Sequence, residues 1–184
     1  LKNFFRVQST FLKRRMESLW QRSAHIAALS YMLGNVTPGI DPEQALLGGL
    51  IHDIGAIAVI GGVAHFPKLA EREEVFNHVL GMLSGESGSR ILEHWHLDQE
   101  FGDVLRGVNN WYRTGWAIAD IADVVIIARL HSTVGSRAHH DLPFIDAVPA
   151  FSKLADGELT PQRSLAVLEH ATAAVREIQS LLTS

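Results

Sequence analysis

The segment Ala45-Leu46-Leu47-Gly48-Gly49-Leu50-Ile51 has no polar side chain on any face, and His52-Asp53 follows it directly. A helix that is apolar all round is buried. The chain must therefore fold around this segment and carry an imidazole and a carboxylate towards its interior. Both groups are costly to bury without partners, the carboxylate especially. Helix-start signals stand just ahead: Asp41 can cap, Pro42 suits the first helical position, and Gln44 can complete a capping box with Asp41.

At 184 residues the chain can bury one substantial core, which predicts a single compact domain over 1–184. A composition 47% hydrophobic and 20% charged argues against intrinsic disorder. The net charge of -4 gives no general reason to expect nucleic acid or an anionic membrane as partner. With no cysteine, disulfide scaffolds and thiolate zinc sites are excluded, which suits a cytoplasmic protein. No uninterrupted run of 18 apolar residues occurs, so no membrane-spanning helix is expected. The start, Leu1-Lys2-Asn3-Phe4-Phe5-Arg6, lacks both an initiator Met and a secretory cleavage pattern, and the chain reads as a fragment.

Helical spacing recurs along the chain. Leu12, Met16, Leu19, Ser23, Ile26, Ser30 and Leu33 alternate steps of four and three, predicting one buried face on a helix from about Thr10 to Leu33, with Gly34 as its stop. Basic residues outnumber acidic ones six to one up to Arg22, and a solvated helix face explains them better than a nucleic-acid footprint. Gly61-Gly62 and Pro67 predict a connection, followed by helices over about 67–83 and 84–95. Asp98 can cap a helix reaching about Trp111, which Thr114-Gly115 would close. The run Val124-Val125-Ile126-Ile127 is β-branched, yet its Ala-rich flanks lack turn residues and favour a buried helix. A last amphipathic helix is expected from Pro161 through Leu182. The fold class is all-α.

His52 and Asp53 could ligate a divalent metal, or form a structural pair with a backbone carbonyl and an arginine. The string Gly48-Gly49-Leu50-Ile51-His52-Asp53-Ile54-Gly55 resembles the signature helix of the HD superfamily of metal-dependent phosphohydrolases. With Trp20-Gln21-Arg22-Ser23 before it and Gly88-Ser89-Arg90-Ile91-Leu92-Glu93-His94-Trp95-His96-Leu97 after it, the chain from about Ser18 to Leu154 resembles one branch. That branch is the HD-related output domain (HDOD) of bacterial signalling proteins. The resemblance implies a helical domain of HD-superfamily type. It also implies further helices upstream, so that the chain would be the larger, C-terminal part of a complete module with an apolar face open on its first or signature helix.

The resemblance also implies a ligand set. An active HD enzyme has a His before the Ser of the first helix, where Arg22 stands here. His52 and Asp53 match. The next His falls on Ser84, the later His-His pair on Asn109 and Asn110, and the final Asp on Arg129, with Asp123 six residues early as a substitute. Helical rows place Arg22 with Leu19 and Ile26, Ser84 with Leu80, Gly88, Ile91 and Trp95, and Arg129 with Val125 and Ala122, so these replacements are expected to point inward.

Charge then decides between metal and no metal. A divalent ion needs three or four deprotonated or neutral ligands, and two of the positions carry permanent positive charge. A guanidinium repels a metal but matches a carboxylate. Arg22 or Arg129, or both, are therefore expected to neutralise Asp53 in a buried pair whose disruption costs about 3–5 kcal/mol. The resulting expectation is a non-catalytic, cytoplasmic bacterial signal-transduction output domain, part of a response regulator or similar multidomain protein. It would act through other signalling domains or proteins, without cofactor, metal, nucleic acid or membrane, and homo-oligomerisation is left open. The alternatives are a metal-dependent phosphohydrolase of nucleotides or cyclic dinucleotides, and an anion or nucleotide sensor using Arg22 and Arg129. His94 and His96 are expected at the surface, His139-His140 in a polar loop, and Phe101, Trp111 and Trp116 in helix packing. No phosphate-cradling P-loop or nucleophile elbow is present.

Overall fold

A computed structural model describes residues 9–70, 72–133 and 142–154, with 176, 177, 180 and 181. Among the described residues the structure is helical and contains no strand. The elements are α1 (Thr10–Val36), α2 (Pro42–Ile51), α3 (Ile54–Val63), α4 (Pro67–Ala70), α5 (Glu73–Trp95), α6 (Gln99–Gly107), α7 (Ile121–Ser132) and α8 (Pro149–Lys153), with a single 3-10 turn at Ile145–Ala147. Contacts group the chain into two compact units, one of residues 1–22 and 53–98, the other of residues 23–52 and 99–184. His139-His140 and most of the last predicted helix lie outside the described residues; Arg176, Glu177, Ser180 and Leu181, which fall within that helix, are helical.

In the first unit the start of α1 packs with α3 and α5 around Leu12, Met16, Val59, Ile60, Val63 and Phe76. The Phe11 ring meets Phe76 edge-on at 5.3 Å between centroids, and Arg15 lies over the Phe11 ring while its guanidinium binds Glu73 at 2.6 Å. The basic residues of this helix are thus partly taken up by a ring and a carboxylate. Gly61 and Gly62 do not form a connection as expected; they lie within α3, facing open space. Nor does a break occur near Ser84. One continuous helix, α5, runs through it and ends where His96 adopts a left-handed conformation (φ 54°).

In the second unit α7 is central. Val124, Val125, Ile126, Ile127 and Ala128 are completely buried, and α2, α6 and α8 all pack against this helix. The β-branched run is helical because each of its faces meets a neighbouring helix, so packing outweighs its slight intrinsic preference for strand. Burial also holds the His131 imidazole of α7 down to about 4, well below the ordinary histidine range. The second half of α1 contributes Ile26, Leu29 and Leu33, and the predicted face from Leu12 to Leu33 is buried throughout except at half-buried Leu19. Gly34 does not stop the helix. A Cβ there would stand 3.1 Å from the Ala45 Cβ and from the Pro42 Cα, so glycine is needed for close approach, and the turn that follows uses Gly39 (φ 78°). The Asp41 cap forms as expected, its carboxylate accepting from the Glu43 and Gln44 amides at 2.8 and 3.4 Å. Helix α6 stops at Gly107, short of Trp111, and a loop leads on to α7.

Two expectations need amending. Taken together, Pro42–Val63 is long and apolar enough to cross a bilayer by length and composition (mean hydropathy 1.8), although half of that window is buried in the protein and the helix breaks at His52-Asp53. Of the apolar face expected to be open on α1 or α2, Val36 is the one large apolar side chain that is exposed among the described residues, while Leu46, Leu47 and Leu50 of α2 are half-buried. The other large exposed apolar side chains, such as Met82, Trp95, Trp116 and Ile118, lie elsewhere.

Gly55 marks the tightest α3–α5 contact. A Cβ there would overlap the Ser84 carbonyl oxygen and stand 2.7 Å from the Gly88 amide nitrogen, both backbone atoms that can yield only by moving a helix. Gly55→Ala is expected to lower stability by about 1–3 kcal/mol or more. Gly81→Ala, which meets nothing within 4 Å on the same α5, should raise it by about 0.5–1 kcal/mol. Urea unfolding midpoints of the two variants check both signs.

Candidate functional site

His52 and Asp53 occupy the junction between α2 and α3. His52 caps the C-terminus of α2, is buried, and sets its Nδ1 2.7 Å from the Gly49 carbonyl oxygen, one of the carbonyls a helix end leaves unmatched. Asp53 stands at the N-cap of α3 (φ -113°, ψ 18°), and its carbonyl receives the Ala56 and Ile57 amides. Its carboxylate accepts a hydrogen bond from Arg22 Nη2.

That pair differs from the buried one the sequence suggested. The Arg22 side chain is 54% exposed and the Asp53 side chain 19%. Arg22 leaves the inner face because Ser23 and Ile26, not Arg22, fill it, while its long stem allows the guanidinium to reach back to the carboxylate. Solvent screening brings such a pair to the scale of a surface salt bridge, about 0.2–1 kcal/mol, rather than 3–5.

The other positions do different things. Ser84 is half-buried and donates its hydroxyl to the Leu80 carbonyl of its own helix at 2.5 Å. Asn109 and Asn110 are exposed, Asn110 accepting the Tyr112 amide with its side chain. Arg129 donates to the Val108 carbonyl and lies 5.1 Å from the centroid of the Trp111 ring. His94 and His96 are exposed, as expected. Phe101 is buried and Trp111 half-buried, but Trp116 is 69% exposed, which overturns its assignment to helix packing.

The HD-type metal implied by the resemblance would need several donors converging on one point. Among the described residues no group of three or more His, Asp or Glu side chains could hold a metal ion. His52 has a ring nitrogen on a backbone carbonyl, Asp53 has a guanidinium, and Ser84 has spent its proton on its own helix. The residues present do not fit a resident HD-type ion.

Sequence reasoning missed a heavily buried charge cluster on α7 and its neighbours. Asp123, fully buried, is no substitute metal ligand: Arg113 Nη1 binds it at 3.0 Å and Lys153 Nζ at 3.1 Å. Arg113 also grips Asp120 through two hydrogen bonds of 2.6 and 2.9 Å. Asp120 and Asp123 exchange bonds with each other's amides in a capping box that starts α7. Gly107 and Gly115 make room for Arg113, since a Cβ at either would come within 2.7 Å of its side chain. Burial, then the Asp120 carboxylate, pushes the Asp123 carboxyl above its ordinary range against the pull of Lys153 and Arg113. The spacing of Asp120 and Asp123 immediately before an apolar run was the available signal.

The sequence matches the model of the HDOD domain family over residues 1–110. The chain belongs to the HDOD family. No curated protein shows a significant match. The fold is similar to that of a Shewanella amazonensis protein named "Putative metal-dependent phosphohydrolase" (TM-score 0.75, 19% identity), covering 98% of this chain and 64% of that one. It is also similar to an HDOD domain protein of unknown function from Geobacter sulfurreducens (TM-score 0.62, 16% identity), covering 89% of this chain and 61% of that one. The HDOD chain thus spans less than two thirds of the length of either solved relative, and the likeness at these identities concerns the fold alone.

Two charge changes separate the clusters. Arg113→Met leaves a buried Asp123 beside Asp120 with Lys153 as its remaining ion-pair partner, and is expected to cost about 3–5 kcal/mol at neutral pH. The raised carboxyl sets the sign: the penalty is present above the folded-state pKa of Asp123 and fades as pH falls toward the ordinary carboxylate value, so the gap to the parent narrows in acid. Urea unfolding across pH checks it. A double-mutant cycle of Arg22→Gln with Asp53→Asn is expected to give only about 0.2–1 kcal/mol of coupling, read from the same unfolding curves.

Proposed function

We propose that the chain is a non-catalytic output domain of a bacterial signalling protein, acting through contacts with other protein domains. The observation that supports this reading is the donor set. Asp53 already holds a guanidinium, and among the described residues no group of three or more His, Asp or Glu side chains could hold a metal ion. An HD-type hydrolase depends on a metal to make hydroxide at neutral pH, and these residues offer such an ion too few ligands. Membership of the HDOD family supports the signalling context, since the resemblance implies receiver, kinase or cyclic-dinucleotide domains alongside, in a cytoplasmic protein. Those domains would lie outside the 184 residues.

A metal-dependent phosphohydrolase is the second reading. The retained His52-Asp53 pair favours it, as does the name of the Shewanella protein. An anion sensor built on Arg22 and Arg129 has less support, because Asp53 and the Val108 carbonyl already accept from them.

Metal content and turnover discriminate between the first two readings. Purified without chelators, the protein is expected to carry far less than one equivalent of zinc, iron or manganese by mass spectrometry. It should not hydrolyse bis(p-nitrophenyl) phosphate or a cyclic dinucleotide when manganese is added. Stoichiometric metal together with turnover that His52→Ala abolishes would overturn the proposal.

A further inference from the structure

In the second unit a cavity of about 390 Å³ opens where the N-terminal ends of α2, α6 and α7 meet the loop after α6. That volume lies in the range of small-ligand sites. Its apolar wall includes Trp116 and Ile118, which are 69% and 78% exposed. Asp41, Glu100, Asp103 and Asp120 also line it, and no basic side chain does.

Helix N-termini ordinarily attract anions, but at α2 and α7 that use is taken by the chain's own carboxylates. Asp41 takes the Glu43 and Gln44 amides, and Asp120 takes the Asp123 amide. An anion entering would meet carboxylates in place of donors. Arg106 and Arg113 offset Asp103 and Asp120 from outside the lining. Glu100 has no ion-pair partner among the described residues, and with Asp41 it leaves the cavity negative. The complementary occupant is a cation with a flat, weakly hydrated face that can stack on an indole while forking to a carboxylate. Arginine has that chemistry; lysine lacks the planar fork.

We propose that this cavity docks an arginine side chain from a basic segment of a partner protein, stacked on Trp116 and paired with Glu100. Ile118 takes an apolar neighbour of that arginine. The proposal deepens the protein-contact reading by naming the chemistry of the partner surface and rests on that reading only for its biological use.

The probe is a fluorescein-labelled peptide of the pattern Gly-Ser-Arg-Leu-Arg-Ser-Gly, titrated by anisotropy, with the same peptide carrying neutral citrulline for both arginines as control. Saturable binding is expected for the arginine peptide, weakening at about 0.3 M salt as screening shortens the reach of the charges. The citrulline peptide should bind at least about tenfold more weakly. Trp116→Ala and Glu100→Gln should each weaken the arginine peptide by about threefold to tenfold. Circular dichroism checks that the variants fold, and Trp116→Leu, which keeps apolar bulk but loses the indole face, should weaken binding too. Absence of saturable binding, equal binding of the two peptides, or unchanged binding by Glu100→Gln and Trp116→Leu would overturn the proposal. These outcomes leave the non-catalytic reading standing, whereas metal-dependent turnover would remove that reading and leave the peptide result to stand by itself.

Discussion

Helices approach most closely where no Cβ stands between them, and the HDOD chain depends on such contacts at three glycines of one short string. A Cβ at Gly48 would press to 2.7 Å from the Ile121 side chain, and one at Gly49 would come equally near the Ala27 backbone and the Ser30 hydroxyl. At Gly55 it would collide with the backbone of α5. Interiors are packed too densely to absorb such overlaps by small shifts. The string around His52-Asp53 is therefore a packing device before it is anything chemical. It lets α2 sit against α1 and α7 in the second unit, and α3 against α5 in the first.

Two arginine–aspartate arrangements in the same chain show how burial decides what a charge pair does. Arg22 and Asp53 meet with the guanidinium largely in water, so the pair itself contributes little and serves mainly to occupy the carboxylate. Arg113, Asp120, Asp123 and Lys153 form a cluster whose centre, Asp123, has no solvent exposure. Its raised carboxyl indicates that the cations do not fully offset desolvation. Such a cluster contributes little net stability but fails badly when one member is removed. It ties the loop after α6 to the start of α7 and to α8, and so fixes the wall on which Trp116 stands.

The fold was legible wherever periodicity and burial agree. The steps from Leu12 to Leu33, the Asp41-Pro42 start and the apolar run of α7 all became what their spacing implied. Glycine was the main source of error. Gly34, Gly61 and Gly62 resemble stops in sequence, yet they stand inside helices, because glycine serves close packing and open surface as well as turns and only tertiary context separates these uses. For the site, helical rows placed Arg22 inward, but a row cannot reveal that a long side chain has left the core to reach a carboxylate. The Arg113 cluster joins residues ten and thirty positions from Asp123, a separation at which sequence alone offers no pairing rule. Trp116 was misjudged because an indole in a loop between two helices carries no periodicity.

The presence of His52-Asp53 between α2 and α3 has an explanation that needs no catalysis. Between Ile51 and Ile54 the chain ends one helix and begins another with two residues to spare. The first helix leaves carbonyls unmatched at its end, and the imidazole of His52 reaches the one at Gly49. The second begins with a positive end, and Asp53 sets a carboxylate there while its own carbonyl takes the first amides. Alanine at 52 would leave the Gly49 carbonyl without the imidazole, and alanine at 53 would leave Arg22 without its carboxylate. Each residue thus has a backbone or electrostatic role that selection can keep without any metal. Retention of the dipeptide alone is weak evidence for hydrolysis, and the decisive evidence is whether further donors converge upon it.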